Sequence, residues 1–334
     1  MTDDRQDATG PLARRFAALL AEDRPGPVAA DPASRALFDL ARRAAGGRAT
    51  VLVTGPSGAG KEVMARFLHE ESPRAGAPFL AVNCAALPDA MLEAMLFGHE
   101  RGAFTGAQGA APGLFRAADG GTLFLDELGE MPLTLQAKLL RAVEQGEVLP
   151  LGATAPVKVD VRLLAATNRD LEAEVEAGRF RADLYWRLSV FPIALTPLAA
   201  RPGDILPLAA TLVRRLGLCA RFTEPALEAL LRHDWPGNVR ELSNQLQRAA
   251  ILAGSGPVGP EHLALPAAQP LTLADRQRHR EARDVEVALA ESAGRKGEAA
   301  RRLGISERAL RYKLAALAGR PRRRAAPPLQ AAMA

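Results

Sequence analysis

Cysteine is nearly missing: Cys84 and Cys219 are the only two in 334 residues. Two thiols so far apart offer neither a metal knuckle nor a redox pair, fit a reducing cytoplasm, and are expected in packed core positions. Long apolar runs are missing too. No stretch approaches the roughly 18 consecutive apolar residues of a membrane-spanning helix. The start, Met1-Thr2-Asp3-Asp4-Arg5, is acidic and polar, which is not the character of a signal peptide. Residues 1–26 hold one amphipathic fragment, Leu12 to Leu20, before the breaker Arg24-Pro25-Gly26-Pro27, and are too short for an independent sensory domain. What remains is an ordinary globular composition, 48% hydrophobic and 24% charged, long enough for about two domains. The net charge of +5 is unevenly spread. Residues 276–334 carry fifteen Lys and Arg against six Asp and Glu, a net +9, which leaves −4 for residues 1–275. Basic charge gathered in a short terminal module is either a solvated face or an electrostatic footprint for nucleic acid.

The most informative stretch is Thr50-Val51-Leu52-Val53-Thr54 followed by Gly55-Pro56-Ser57-Gly58-Ala59-Gly60-Lys61-Glu62 and the helical spacing of Val63–His69. Strand, glycine turn and helix in that order form the context of a P-loop, rather than a plain connecting turn. The glycines let main-chain N–H groups converge on phosphate oxygens, the helix start adds its positive dipole end, and Lys61 reaches the outer phosphates. Glu62 stands where a Ser or Thr usually supplies a hydroxyl to Mg²⁺. The motif predicts ATP as ligand.

Other strands are expected to bring acids and polar ends to the same site. Pro78–Asn83 reads as a buried strand with a polar end. Gly121–Leu128 is an apolar strand ending in Asp126 and Glu127, which in a parallel sheet emerge at the C-terminal edge where ligands bind. Asp126 would hold Mg²⁺ and Glu127 would act as general base toward water. Val159–Asn168 is a further strand, and its polar end, Thr167 and Asn168, is suited to sensing a γ-phosphate. Arg181 and Arg187, six apart, cannot both be core; in a ring of subunits they would reach a neighbour's nucleotide. Between a helix at about 89–97 and the Asp-Glu strand lies Gly102-Ala103-Phe104-Thr105-Gly106-Ala107, which holds no helix. Its Phe104 either folds back into the core or is presented to a partner.

Beyond Pro197 the pattern is helical: 204–216, then 224–233 with Thr223 as N-cap, then 239–252 after Trp235-Pro236-Gly237-Asn238, with Arg240 near the start of the last helix. A Gly- and Pro-rich linker follows. In the last module, 297–303, the turn Gly304-Ile305-Ser306 and the basic 307–314 make a helix-turn-helix with Leu303, Ile305, Leu310 and Leu314 as its core. Ser306, Arg308, Arg311, Tyr312 and Lys313 are its candidate DNA-binding residues, unless the helix pair serves only dimerisation. The tail from 319, with Arg320 and Arg322–Arg324, is expected to be disordered and to add nonspecific phosphate attraction.

These motifs together resemble the bacterial enhancer-binding proteins, the AAA+ activators of sigma-54 RNA polymerase. The resemblance rests on GPSGAGKE (55–62), FLAVNCAAL (79–87), LFGHERGAFTGA (96–107), GGTLFLDE (120–127), FRADLYWRL (180–188) and WPGNVREL (235–242). That family also keeps Glu after the P-loop lysine. The resemblance implies that Phe104 and Thr105 touch sigma-54, that Asn83 acts with Glu127 as a switch, and that Thr167 with Asn168 forms sensor I. Arg181 and Arg187 become finger candidates, Arg240 sensor II, and the C-terminal module a Fis-type reader of enhancer DNA. A homo-oligomeric ring, usually a hexamer, is implied as well.

The expected layout is a short segment at 1–26, an α/β P-loop ATPase subdomain at 27–197, a helical lid at 198–254, a linker at 255–275, an all-α helix-turn-helix domain at 276–318 and a basic tail at 319–334. The expected activity is ATP hydrolysis that remodels the closed promoter complex of the sigma-54 RNA polymerase holoenzyme, without a membrane. With no receiver domain read ahead of the ATPase, regulation is expected from a partner protein, a related activator in trans, or expression level. Departures from the family pattern at Met95, at Leu114 and Arg116, and at Ala199-Ala200-Arg201 in place of a more basic run bear on coupling between hydrolysis and loop movement. Met95, Leu114 and Arg116 keep open a regulator with a weak or vestigial ATPase that co-assembles with a related activator; a general AAA+ remodeller is the other alternative.

Overall fold

The computed structural model describes residues 10–22, 26–103, 109–218, 220–263, 265, 285, 288, 289, 292, 295–307, 309, 310 and 314. Two compact units divide the chain, Met1–Leu265 and Pro266–Ala334. In order, the first unit runs α1 (Pro11–Ala21), α2 (Pro32–Ala45), β1 (Val51–Thr54), α3 (Lys61–Glu70), β2 (Phe79–Asn83), α4 (Asp89–Phe97), α5 (Gly113–Ala117) and β3 (Thr122–Asp126). It continues through α6 (Leu133–Gln145), β4 (Glu147–Val148), β5 (Val157–Lys158), β6 (Arg162–Thr167), α7 (Leu171–Glu176), α8 (Ala182–Leu188) and β7 (Phe191–Ala194). Three lid helices close it: α9 (Ile205–Arg215), α10 (Glu224–Arg232) and α11 (Asn238–Ala253).

Five strands form one parallel sheet in the order β2-β3-β6-β1-β7. Because successive side chains on a strand point to opposite faces, these apolar runs feed two cores. Leu52, Leu123, Leu125, Leu163 and Ala165 pack on one face with α4, α5, α6 and α8. Val51, Val53, Phe124, Leu164 and Ala166 pack on the other with α2 and α3. Each fully buried Leu or Phe contributes about 1.5–3 kcal/mol of transfer free energy. The register sets Asn83 beside Asp126 and Thr54 beside Thr167, so polar strand ends line up along one edge.

Local signals account for the helix starts. Asp31 caps α2 by accepting from Ala33 N at 3.0 Å, with Pro32 in its first turn, and Thr223 caps α10 by accepting from Ala226 N. The lid core gathers Leu227, Leu230, Trp235, Leu242 and Leu246. It also takes in α1, whose Phe16 is 2% exposed and stands edge-on to Phe222 at 5.1 Å between centroids. The Glu224 carboxylate accepts from Leu12 N at 3.0 Å and Ala13 N at 2.8 Å, so an anion from α10 caps the N-terminus of α1.

Between α4 and α5 the chain makes an excursion with a narrow neck. Gly98 and Gly113 have φ of 82° and 75°, and a Cβ on Gly113 would lie 2.3 Å from Gly98 N. His99 and Ala111 exchange both backbone hydrogen bonds, and Leu151, from the loop between β4 and β5, accepts from Glu100 N and donates to Gly98 O at 2.9 Å each. In the second unit, α12 (Lys296–Arg302) packs with Val285, Ala288 and Leu310, joined by Leu303, Ile305 and Leu314 at the margin. Ser306 caps the following turn by accepting from Ala309 N at 3.1 Å, and Gly304 takes φ 65°.

Candidate functional site

The chemistry-bearing residues from four strands meet at the C-terminal edge of the sheet. After β1 the P-loop turns through Gly55, Gly58 and Gly60 at φ 147°, 73° and 106°. Gly60 precedes α3 with no side-chain cap, and the first N–H groups of α3 are left facing out of the helix end. Lys61 opens α3, is 7% exposed, donates to Gly55 O at 3.2 Å and lies 3.9 Å from Glu127 Oε1. Glu62 points away and pairs with Arg66 at 2.8 Å on the exposed face of α3, so its carboxylate does not take the place of the missing hydroxyl.

Asp126 ends β3, and its Oδ1 accepts from Glu127 N at 3.0 Å. Glu127 sits in the left-handed region at φ 50°, an uncommon conformation for a non-glycine residue that turns its side chain toward Lys61. Asn83 ends β2 and accepts from Ala85 N at 2.8 Å within its own turn. Cys84 next to it is buried, and its thiol is pushed up to about 12 by burial first, then by Asp126 and Glu127. Thr167 ends β6 fully buried and accepts from Arg169 N at 3.1 Å, while Asn168 is exposed. No group of three His, Cys, Asp or Glu able to cage a metal occurs among the described residues. A single strand-end carboxylate beside a phosphate cradle nevertheless suits Mg²⁺, which keeps several waters and is held largely by phosphate oxygens.

The lid reaches this edge directly. Trp235 (φ 49°, 1% exposed) and Asn238 (φ 54°, 2% exposed) form a tight turn held by Trp235 Nε1 donating to Leu230 O at 2.9 Å and by Glu241 accepting from Gly237 N at 2.8 Å. That turn lies against Gly58, where a Cβ would be 2.5 Å from Gly237 O. Arg240 Nη1 donates to Ser57 Oγ at 2.9 Å, which brings the expected sensor arginine to the P-loop. Arg201 and Asn238 also bond P-loop carbonyls, at 2.7 Å to Ala59 O and 3.0 Å to Ser57 O. Sequence reasoning gave neither of them a role: Asn238 was visible only inside WPGNVREL and Arg201 only as part of a departure from pattern. Burial holds the Arg201 guanidinium below its usual range, opposed by Asp204 and Asp31.

The remaining candidates are elsewhere. Arg181 precedes α8 and forms a two-pronged pair with Asp183 (2.7 and 3.1 Å). Arg187, one helix length on, lines a cleft of about 420 Å³ with Arg48, Thr50, Val161 and Val190. Thr50 and Val161 precede β1 and β6, so this cleft is at the N-terminal edge, across the sheet from the P-loop. Of the loop residues, Gly102 (φ 81°) and Ala103 are seen at the end of the neck. Phe104, Thr105, Gly106 and Ala107 lie outside the described residues. So do Arg308, Arg311, Tyr312 and Lys313; Ser306 is described, as an exposed cap. Met95 is 41% exposed on α4, Leu114 packs against the core beside the neck, and Arg116 is exposed. No helix among the described residues is long and apolar enough to cross a membrane.

Comparison with known proteins identifies three domains along the chain. Residues 28–194 match the sigma-54 interaction domain, 199–280 the AAA+ ATPase lid domain and 278–317 the Fis family of bacterial regulatory proteins. The response regulator protein FleR of Pseudomonas aeruginosa is 51% identical over 337 residues, covering 89% of this chain and 71% of FleR. The Nif-specific regulatory protein of Azotobacter vinelandii is 46% identical over 306 residues, covering 86% of this chain and 58% of that protein. The crystal structure of NtrX from Brucella abortus in complex with ATP superposes with a TM-score of 0.67 at 33% identity, covering 91% of this chain and 72% of NtrX. The chain belongs to the sigma-54-dependent transcriptional activators, AAA+ ATPases that join a sigma-54 interaction domain and its lid to a Fis-type helix-turn-helix.

Proposed function

We propose that this chain binds enhancer DNA through its C-terminal module and, as a hexameric ring in the cytoplasm, uses ATP hydrolysis to drive the 102–107 loop against a closed sigma-54 polymerase complex. The observation that carries the reading is the convergence of Lys61, Asp126, Glu127 and Thr167 on one sheet edge, with Lys61 Nζ 3.9 Å from Glu127 Oε1. Lys61 and the P-loop N–H groups would hold the phosphates, Glu127 would take a proton from the attacking water, and Asp126 would hold Mg²⁺. When bound, the metal neutralises charge building on the phosphate oxygens. Thr167 and Asn168 would report the γ-phosphate, and Asn83, in register with Asp126, would pass that report toward α4 and the neck of the loop. Arg240 would follow the nucleotide from the lid, and Arg181 and Arg187 would act on a neighbour's ATP. Regulation by a separate protein or a co-assembling relative belongs to the same proposal.

Two substitutions test it. Glu127→Gln is expected to retain ATP in an equilibrium binding assay and to lose turnover by about a thousandfold; turnover at the native rate sinks the base assignment. Thr105→Ala is expected to hydrolyse ATP normally and to fail in open-complex formation with sigma-54 polymerase. Open complexes formed at the native rate would remove the loop from the mechanism.

A further inference from the structure

Three consecutive carbonyls of the P-loop accept hydrogen bonds from the lid. Ser57 O takes one from Asn238 Nδ2 at 3.0 Å, Gly58 O from Val239 N at 3.0 Å and Ala59 O from Arg201 Nη2 at 2.7 Å. The C=O of one residue and the N–H of the next point opposite ways across a planar peptide. Holding these carbonyls on the lid side therefore turns the following N–H groups away from the lid; those of Gly58 and Gly60 are set only by these bonds, whereas that of Ala59 also donates to Pro56 O at 3.2 Å. Within the loop only Ala59 N to Pro56 O and Lys61 Nζ to Gly55 O add restraint, and Gly58 and Gly60 carry the soft dihedrals of glycine.

Both side-chain donors are fixed before they reach the loop. Arg201 is 7% exposed and lies 3.8 Å from Asp204. Asp204 is fully buried and accepts from Ala30 N and Asp31 N at 2.7 Å each and from Ser34 Oγ. Asn238 is 2% exposed, and its Oδ1 accepts from Leu198 N at 2.8 Å, which leaves Nδ2 aimed at Ser57 O. Asn is also a residue that tolerates φ 54°. The entry to the lid, its last helix and the segment before α2 are thus tied to one turn of backbone.

We propose that Arg201 and Asn238 are positioning residues for ATP, which hold the Ala59–Gly60 and Ser57–Gly58 peptide groups in the phosphate-facing direction and through those two bonds set nucleotide affinity. The proposal rests on the P-loop being the ATP site, and Lys61→Ala separates the two: ATP binding unchanged in Lys61→Ala would overturn the site itself, whereas loss there with native binding in the lid variants would overturn only the positioning role. The variants are Arg201→Gln and Asn238→Asp. The second keeps the bond from Leu198 N and replaces the donor facing Ser57 O with an acceptor. Each is measured in the full chain for kcat and KM with Mg-ATP, for equilibrium ATP binding, and for thermal unfolding without nucleotide. KM and Kd are expected to rise about tenfold or more, the scale of one lost charge-assisted hydrogen bond, with a smaller change in kcat at saturation. Arg201→Lys, which keeps a cationic donor, is expected to recover part of the affinity. Phe16→Ala weakens the lid core without touching the loop and is expected to lower the unfolding temperature at unchanged KM. A native KM in a folded Arg201→Gln or Asn238→Asp overturns the proposal, and so does a KM in Phe16→Ala that rises in step with its loss of stability. If Asn238→Asp does not fold, Arg201→Gln with its Lys rescue decides.

Discussion

The two edges of the central sheet are finished in different ways. At the C-terminal edge the lid covers the P-loop, and its donors meet two loop carbonyls and the Ser57 hydroxyl, so this turn of backbone is held by the same chain. At the N-terminal edge Arg48, Arg187 and Val190 line an open cleft, and Trp186 beside them is 73% exposed. An exposed Trp with Val190 at 57% is unusual for a surface that water alone covers. The contrast separates what a single chain brings together from what it leaves apart. The groups proposed to hold ATP gather at one edge, whereas Arg187 lies at the other, away from its own P-loop, and under the proposed function would act on a neighbour's ATP.

The sharpest way to break that contrast is Arg187→Ala. Turnover is expected to fall by about a thousandfold, the usual worth of an arginine finger, with ATP binding by the protomer retained. Mixing Arg187→Ala with Glu127→Gln is expected to restore part of the turnover, because some interfaces then combine an intact Arg187 with an intact Glu127. A mixture as inactive as its parts would show that the two residues do not work across an interface. Next in size is Phe16→Ala, which empties a site in the lid that closes the C-terminal edge. Removing a fully buried Phe costs about 3–5 kcal/mol, to be measured by thermal or urea unfolding. An unchanged midpoint would mean that α1 contributes nothing to the lid. The smallest effect concerns Cys84. Its thiol, pushed up to about 12, is neutral at pH 8, and the thiolate is the reactive form, so alkylation in the folded protein is expected to be negligible. Rapid labelling of Cys84, followed by mass spectrometry, would show that the edge beside Asp126 opens.

Much of the fold was legible because its signals are local. The helix expected near 89–97 is found at Asp89–Phe97, fixed between Pro88 and Gly98. The strand expected over 159–168 begins only at Arg162, because Val159 N is taken by Gly146 O and Asp160 N by Asp119 Oδ1. The hairpin of β4 and β5 was not foreseen; two residues per strand carry no readable alternation. The amphipathic character of α1 was visible, but its partner was not, since Glu224 and Phe222 are more than two hundred positions away. Glu127 was chosen as base from its place after an apolar strand, and its left-handed turn toward Lys61 is a property of the folded chain.

By itself the sequence determined the kind of chemistry: a glycine turn before a helix, two acids after an apolar strand, an arginine-rich terminal module and a motif set particular enough to identify a family. Such features are written in neighbouring residues, where periodicity and turn preference suffice. Tertiary structure decided which donors hold the P-loop carbonyls, since Asn238 and Ser57 are 181 positions apart and Arg201 and Ala59 are 142 apart. A hydrogen bond has direction, and the direction of one between such distant residues exists only after the lid has packed against the sheet.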